Sequence, residues 1–179
     1  PSLYPLDGRM LAERRGIFLG PETFKNTEAQ RATEAILNGK VKRVFLYGAD
    51  TTEMPRLIVA ELSRLGLARS TDVEISTNGT PNNILVSPGS PLSPNRQTVF
   101  LKGQTPAPVT RITSLTVTAN SQCQPLLEMQ IPNVPQNVVV AASCNSGDMK
   151  YIVAGFHWAD LAFDPVADPD LSKTWVEGM

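Results

Sequence analysis

Charge almost vanishes from this chain at residue 76. Residues 1–75 carry 21 of the 33 charged side chains, while residues 76–147 carry only Arg96, Lys102, Arg111 and Glu128. The charge-poor stretch also holds nine of the fifteen prolines and is rich in Thr, Ser, Asn, Gln and Val. A disordered segment pairs low hydrophobicity with high net charge. This one has little net charge and several apolar runs, so we expect order. Ile84–Val86, Thr98–Lys102, Arg111–Thr118, Leu126–Ile131, Val138–Ser143 and Met149–Phe156 read as strands separated by proline loops. Short strands at that spacing favour a sandwich or barrel.

The charged first part reads as mixed α/β. Thr27-Glu28-Ala29-Gln30 fits a capping box, which starts a helix through Leu37 that Asn38-Gly39 stops. Val41–Tyr47 is a strand candidate. Thr51 or Thr52 is placed to cap a second helix over about residues 53–65, with Pro55 in its first turn. Leu57, Ile58, Leu62 and Leu65 recur at helical spacing and predict one buried face; Gly66 ends the helix. Val73-Glu74-Ile75 opens the next extended segment. The fold class expected is α+β. It has short helices and a strand over 1–75, an antiparallel, jelly-roll-like β-sandwich over 76–160, and an acidic extended arm over 161–179.

The totals exclude several classes. At 179 residues and net charge −1, the chain has a real core and no global pull towards nucleic acid or anionic membrane. No apolar run reaches the length of a membrane span, and PSLYPLDGRM lacks the apolar region of a signal peptide. The first residue is Pro, which we read as the product of processing or trimming. Cys123 and Cys144 are too few for a disulfide scaffold. Two free thiols in a reducing compartment is the preferred reading; one bridge between neighbouring strands is the alternative.

Motifs are sparse. The strand–Gly48-Ala49-Asp50–helix unit has the outline of a phosphate site but no glycine-rich fingerprint, so no cofactor is expected. Pro88, Pro91 and Pro94 recur every third residue, and Pro91, Pro94 and Arg96 match a PxxP ligand; a stiff surface loop accounts for them as well. Asn78-Gly79-Thr80 is both a hairpin-turn signal and a glycosylation sequon. Asp160, Asp164, Asp168 and Asp170 supply carboxylates for Ca²⁺, yet Pro165 and Pro169 break any helix that would gather them. An arm lying on a partner, anchored by Phe163 and Trp175, is the better reading.

Ser143–Asp160 is chemically the densest stretch. It contains Cys144 and the single histidine, His157. Two apolar runs flank Asn145-Ser146-Gly147-Asp148, which is a cluster of turn formers, so the stretch predicts a hairpin. Cys144 then pairs near Met149, and His157 lies roughly 25 Å further along the strand, too far for proton transfer. A hydrolase would instead need His157 with another nucleophile and a tail carboxylate such as Asp160.

The end of the chain resembles the closing strand of picorna-like viral coat proteins. The residues that carry the resemblance are Tyr151-Ile152-Val153-Ala154-Gly155, then Asp160 and Phe163, with Leu126–Pro135 as a strand leading to a proline turn. Phe156-His157-Trp158 stands where that family usually has an acidic pair. The resemblance implies a virion-surface subunit that associates with copies of itself or with other coat subunits, located in the virion. The rival readings are a hydrolase using His157 with Cys144 or a Ser and Asp160, and a bacterial envelope or secretion-system module.

Overall fold

The computed structural model describes residues 16–20, 29–38, 41–48, 54–75, 83–87, 90, 98–101, 110–130, 135–156 and 161–162. Their order is β1 (Ile17–Leu19), α1 (Ala29–Leu37), β2 (Arg43–Tyr47), α2 (Arg56–Leu65), β3 (Leu67–Ile75), β4 (Asn83–Val86), β5 (Thr98–Leu101), β6 (Thr110–Val117), β7 (Cys123–Met129), β8 (Val138–Ser146), β9 (Met149–Ala154) and β10 (Leu161–Ala162). The chain is therefore mostly β, with short helices confined, among the described residues, to the charged first part.

All ten strands join one mixed, open sheet in the order β1-β2-β9-β8-β7-β4-β5-β10, with β3 paired to β6 and β6 to β8. The change of composition at residue 76 does not interrupt it. β2 lies parallel to β1 on one side and parallel to β9 on the other, with Val44 opposite Tyr151 and Leu46 opposite Val153. Every pairing between strands beyond residue 76 is antiparallel. The parallel part begins as a strand–helix–strand unit, β1-α1-β2, because a parallel neighbour requires a crossover long enough to return the chain to the same end.

Helix α2 starts at Arg56, later than the residue 53 or so expected with Pro55 in its first turn. Pro55 sits at the N-cap with ψ 133°, an extended value, and no side chain caps the helix. Pro fixes its own φ and offers no N–H, so it serves at this boundary without losing a bond. Gly66 ends the helix at φ 94°, in the left-handed region that glycine reaches without a Cβ penalty. Ile58, Leu62 and Leu65 are buried as expected, but Leu57 is 61% exposed. The one-residue step from Leu57 to Ile58 turns the helix by 100°, enough to carry Leu57 off the packed face. β3 begins directly after Gly66, six residues before the Val73 expected from sequence.

The helices cover one face of the sheet. Ala35 and Ile36 of α1 and Ile58, Leu62 and Leu65 of α2 pack with Ile17, Leu19, Val44, Leu46, Ala142, Cys144, Tyr151 and Val153. These strand residues alternate, as a period of two requires. The intervening residues Phe45, Ala141, Ser143, Ile152 and Ala154 are also buried, so the central strands are covered on both sides. That explains the unbroken apolar run at 138–142.

The hairpin of β8 and β9 forms where its turn residues predict, but it is tighter. Ser146 pairs with Met149, leaving only Gly147 and Asp148 at the tip. Gly147 takes φ 57° and Asp148 has no positive φ, the pattern of a type II′ turn. Cys144 consequently pairs with Tyr151, not near Met149. On its other side Cys144 faces Cys123 of β7, and the two are joined by a disulfide. The preferred expectation of two free thiols is thus corrected. Directly opposed positions on neighbouring antiparallel strands bring the two side chains close enough to bond. The partner strand was not evident from sequence because β7 begins at Cys123, three residues before the Leu126 where its apolar run starts.

β9 does not flank β8 along its whole length. Past Ala154 the neighbour of β8 becomes β6, with Leu115 opposite Val139. Gly155 makes the exchange: its N–H donates to the Val140 carbonyl (2.9 Å) and its carbonyl accepts from the Thr113 N–H (2.7 Å). A Cβ at residue 155 would collide with the Thr113 carbonyl oxygen.

Candidate functional site

The turn end of the β8–β9 hairpin, the end of α1, the start of β2 and the middle of α2 enclose a cleft of about 360 Å³. Its lining is Leu37, Asn38, Val41, Lys42, Glu61, Ser146, Asp148, Met149 and Tyr151. The size falls within the range of small-molecule pockets. Each polar group arrives by a simple local rule. Glu61 and Arg64 are three apart on α2 and therefore neighbours on its surface. Ser146 and Asp148 flank Gly147 at the turn. Met149 and Tyr151 are alternate residues of β9, so both face the helices.

Arg64 grips Glu61 with two bonds, Nε to Oε2 and Nη2 to Oε1, both 2.8 Å. The Ser146 hydroxyl donates to Glu61 Oε1 at 2.8 Å and accepts a longer contact from Arg64 Nη2 at 3.4 Å. These bonds, above all that from Arg64, hold the Glu61 carboxyl below the usual carboxylate range against the opposing effect of burial. Across the cleft Lys42 Nζ donates to Asp148 Oδ2 at 3.0 Å and lowers the Asp148 carboxyl likewise. The rim thus carries two ion pairs of opposite and balanced charge.

Tyr151 is the exception. It is fully buried, and its hydroxyl has no hydrogen-bond partner among the described residues. Burial, with the Glu61 charge adding to it, pushes the phenol up to about 12, so it remains an O–H donor at every physiological pH. A buried hydroxyl without a partner is costly, and native structures hold few of them.

This arrangement is not built for proton transfer. A general acid or base works best with a pKa near the operating pH, and Glu61 is moved away from it. Ser146 donates to a carboxylate that arginine already holds with two bonds. No group of three or more His, Cys, Asp or Glu side chains gathers for a metal ion among the described residues.

Of the sequence candidates, Cys144 is fully buried in its disulfide and offers no thiol. His157, Asp160, Asp164, Asp168, Asp170, Pro91, Pro94, Arg96, Phe163 and Trp175 lie outside the described residues, as do the Asn78-Gly79-Thr80 turn and the Thr51 and Thr52 caps. Phe156, next to His157, is described. Its carbonyl accepts from the Gly48 N–H at 2.8 Å, which places Phe156 itself beside the end of β2, a full strand length from the cleft. Sequence reasoning did not single out Glu61, Arg64 or Lys42, and it named Ser146 only as a turn former and Tyr151 only within a strand. Only the three-residue spacing of Glu61 and Arg64 was visible. The bond between Ser146 and Glu61 spans 85 residues.

No family model matches the chain, and no curated protein matches it. Solved structures do share its fold. A cytoplasmic protein of Salmonella typhimurium, STM3548, is similar with a TM-score of 0.58 and 13% identity, over 98% of this chain and 74% of that one. A β-galactosidase from the haloarchaeon Halorubrum lacusprofundi is similar with a TM-score of 0.55 and 12% identity, over 99% of this chain and 23% of that one. Agd3, described as a carbohydrate deacetylase, is similar with a TM-score of 0.52 and 11% identity, over 90% of this chain and 24% of that one. The chain spans about a quarter of these two enzymes. At such identities the likeness is one of fold.

Proposed function

We propose that this chain is a structural and interaction protein that associates with copies of itself through its β-rich body and acts by binding, not catalysis. The observation that carries this reading is the edge of β3. That strand runs nine residues, Leu67–Ile75, and among the described strands it pairs with β6 alone. An edge strand of that length presents a row of backbone donors and acceptors, which is a template for another chain. We read residues 76–160, with their antiparallel pairings, as closing in a sandwich-like manner where β6 and β3 leave β8. The virion-surface form of the proposal rests on the resemblance at residues 151–163. The disulfide is in keeping with use in an oxidising setting, which includes virion and cell surfaces.

Native mass by sedimentation velocity over a concentration series tests self-association, and electron microscopy of the same samples tests the coat form. Species larger than a dimer, and closed particles, are the expected results. A chain that stays monomeric throughout contradicts both.

A further inference from the structure

The cleft under the β8–β9 turn holds a buried donor that no described residue uses. We propose that it is a binding site for a neutral polyhydroxy ligand, of the size of a monosaccharide or cyclitol, whose oxygen accepts from the Tyr151 hydroxyl. The proposal does not depend on self-association.

Three features select that chemistry. First, the rim charges cancel: Glu61 is paired with Arg64, and Lys42 with Asp148. Among the described residues that line the cleft, no uncompensated charge is left to draw in an anion or a cation. Second, the wall supplies both donors and acceptors. Tyr151 donates, Glu61 and Asp148 retain acceptor sites beyond those used by Arg64, Ser146 and Lys42, and the Asn38 amide does both. A hydroxyl donates and accepts at once, and a ring of hydroxyls does so at short, fixed spacing. Third, Leu37, Val41 and Met149 supply an apolar surface for the C–H face of such a ring.

The hydroxyl is sealed from bulk water in the unliganded chain. A ligand oxygen therefore reaches it only as the neighbouring side chains turn aside. Glu61 is the side chain that must turn: it is 19% exposed, and its partner Arg64, 60% exposed, can follow it while the Ser146 bond is exchanged. The direct bond to Tyr151 then replaces an unmet donor, which gives the site its selectivity for a ligand carrying an acceptor at that depth.

The test is an amide NMR titration of the full chain with myo-inositol, D-galactose and D-glucose, using methylammonium chloride and sodium phosphate as charged controls. Saturable shifts at Asn38, Lys42 and Ser146–Asp148 are expected with at least one polyol and with neither control. Tyr151→Phe, which keeps the ring, should weaken that binding roughly five- to tenfold, the worth of one neutral hydrogen bond. Asn38→Ala, at the exposed end of α1, should weaken it as well and serves if the first variant folds poorly. Saturation by a control instead, shifts outside the cleft, no saturation with any polyol, or unchanged binding in the folded variants would each overturn the proposal.

Discussion

Gly155 and Thr113 meet backbone to backbone, and there the neighbour of β8 changes from β9 to β6. The Thr113 N–H donates to the Gly155 carbonyl, and the Gly155 N–H reaches Val140. No side chain fits between the two backbones. Gly155→Ala should therefore cost ~2–3 kcal/mol, the upper part of the usual range for overpacking. Urea denaturation measures it, and a loss below ~0.5 kcal/mol would mean that β6 does not lie against residue 155.

The Cys123–Cys144 bridge closes a loop of 21 residues in sequence separation. Cross-linking a loop of this size stabilises by ~3 kcal/mol in the chain-entropy account. The double substitution of both cysteines by Ala should lower stability by ~2–4 kcal/mol. Wild-type protein should lose a similar amount under dithiothreitol in denaturant. Two thiols that react with Ellman's reagent in the unfolded, unreduced protein would show that the bridge does not form.

Tyr151→Phe should leave the unliganded chain as stable as wild type or more stable, by up to ~1 kcal/mol, because it deletes a buried donor that has no partner. The same phenol gives an alkaline signature. Burial raises its pKa to about 12 in the folded chain, from an ordinary phenol value of 10.0. Between these values the unfolded chain has lost the proton and the folded chain keeps it, so the unfolded state binds fewer protons and stability falls as pH rises. This contribution is fully present below pH 10 and is lost by about pH 12. Thermal melts across that window should fall more steeply for wild type than for Tyr151→Phe; parallel curves would place the phenol in water.

Leu57 and Leu62 lie on one helix and should behave differently. Leu62 is 4% exposed and Leu57 is 61% exposed. Leu62→Ala should cost ~2–5 kcal/mol, the range for truncating a buried leucine. Leu57→Ala should stay within ~0.5 kcal/mol, as surface substitutions do. Equal losses at the two sites, by denaturant titration, would mean that α2 packs in another rotation.

Local features of this fold were legible and long-range ones were not. Asn145–Asp148 marked the β8–β9 turn because Gly and Asx residues act on their own backbone. Gly66 marked the end of α2 for the same reason. The parallel insertion of β2 beside β9 was hidden, since Val44 and Tyr151 are 107 positions apart and an apolar strand does not specify its neighbour. β1, at three residues, is too short to show a period. The cleft was hidden for both reasons: Glu61, Lys42 and Ser146 look like ordinary surface residues until the sheet brings them together. Cys144 was recognised as chemically notable, but its partner depended on the register of β7.

Association through the β3 edge is what we propose this chain does. Hydrogen exchange of residues 67–75, measured in dilute and in concentrated protein, tests it most directly. The outward amides of β3 have no strand partner among the described residues, and association should protect them. The expected result is slower exchange in this segment at high concentration, with β8 and β9 unchanged. Identical exchange across 67–75 at every concentration, in protein that sediments as a monomer, would contradict the claim.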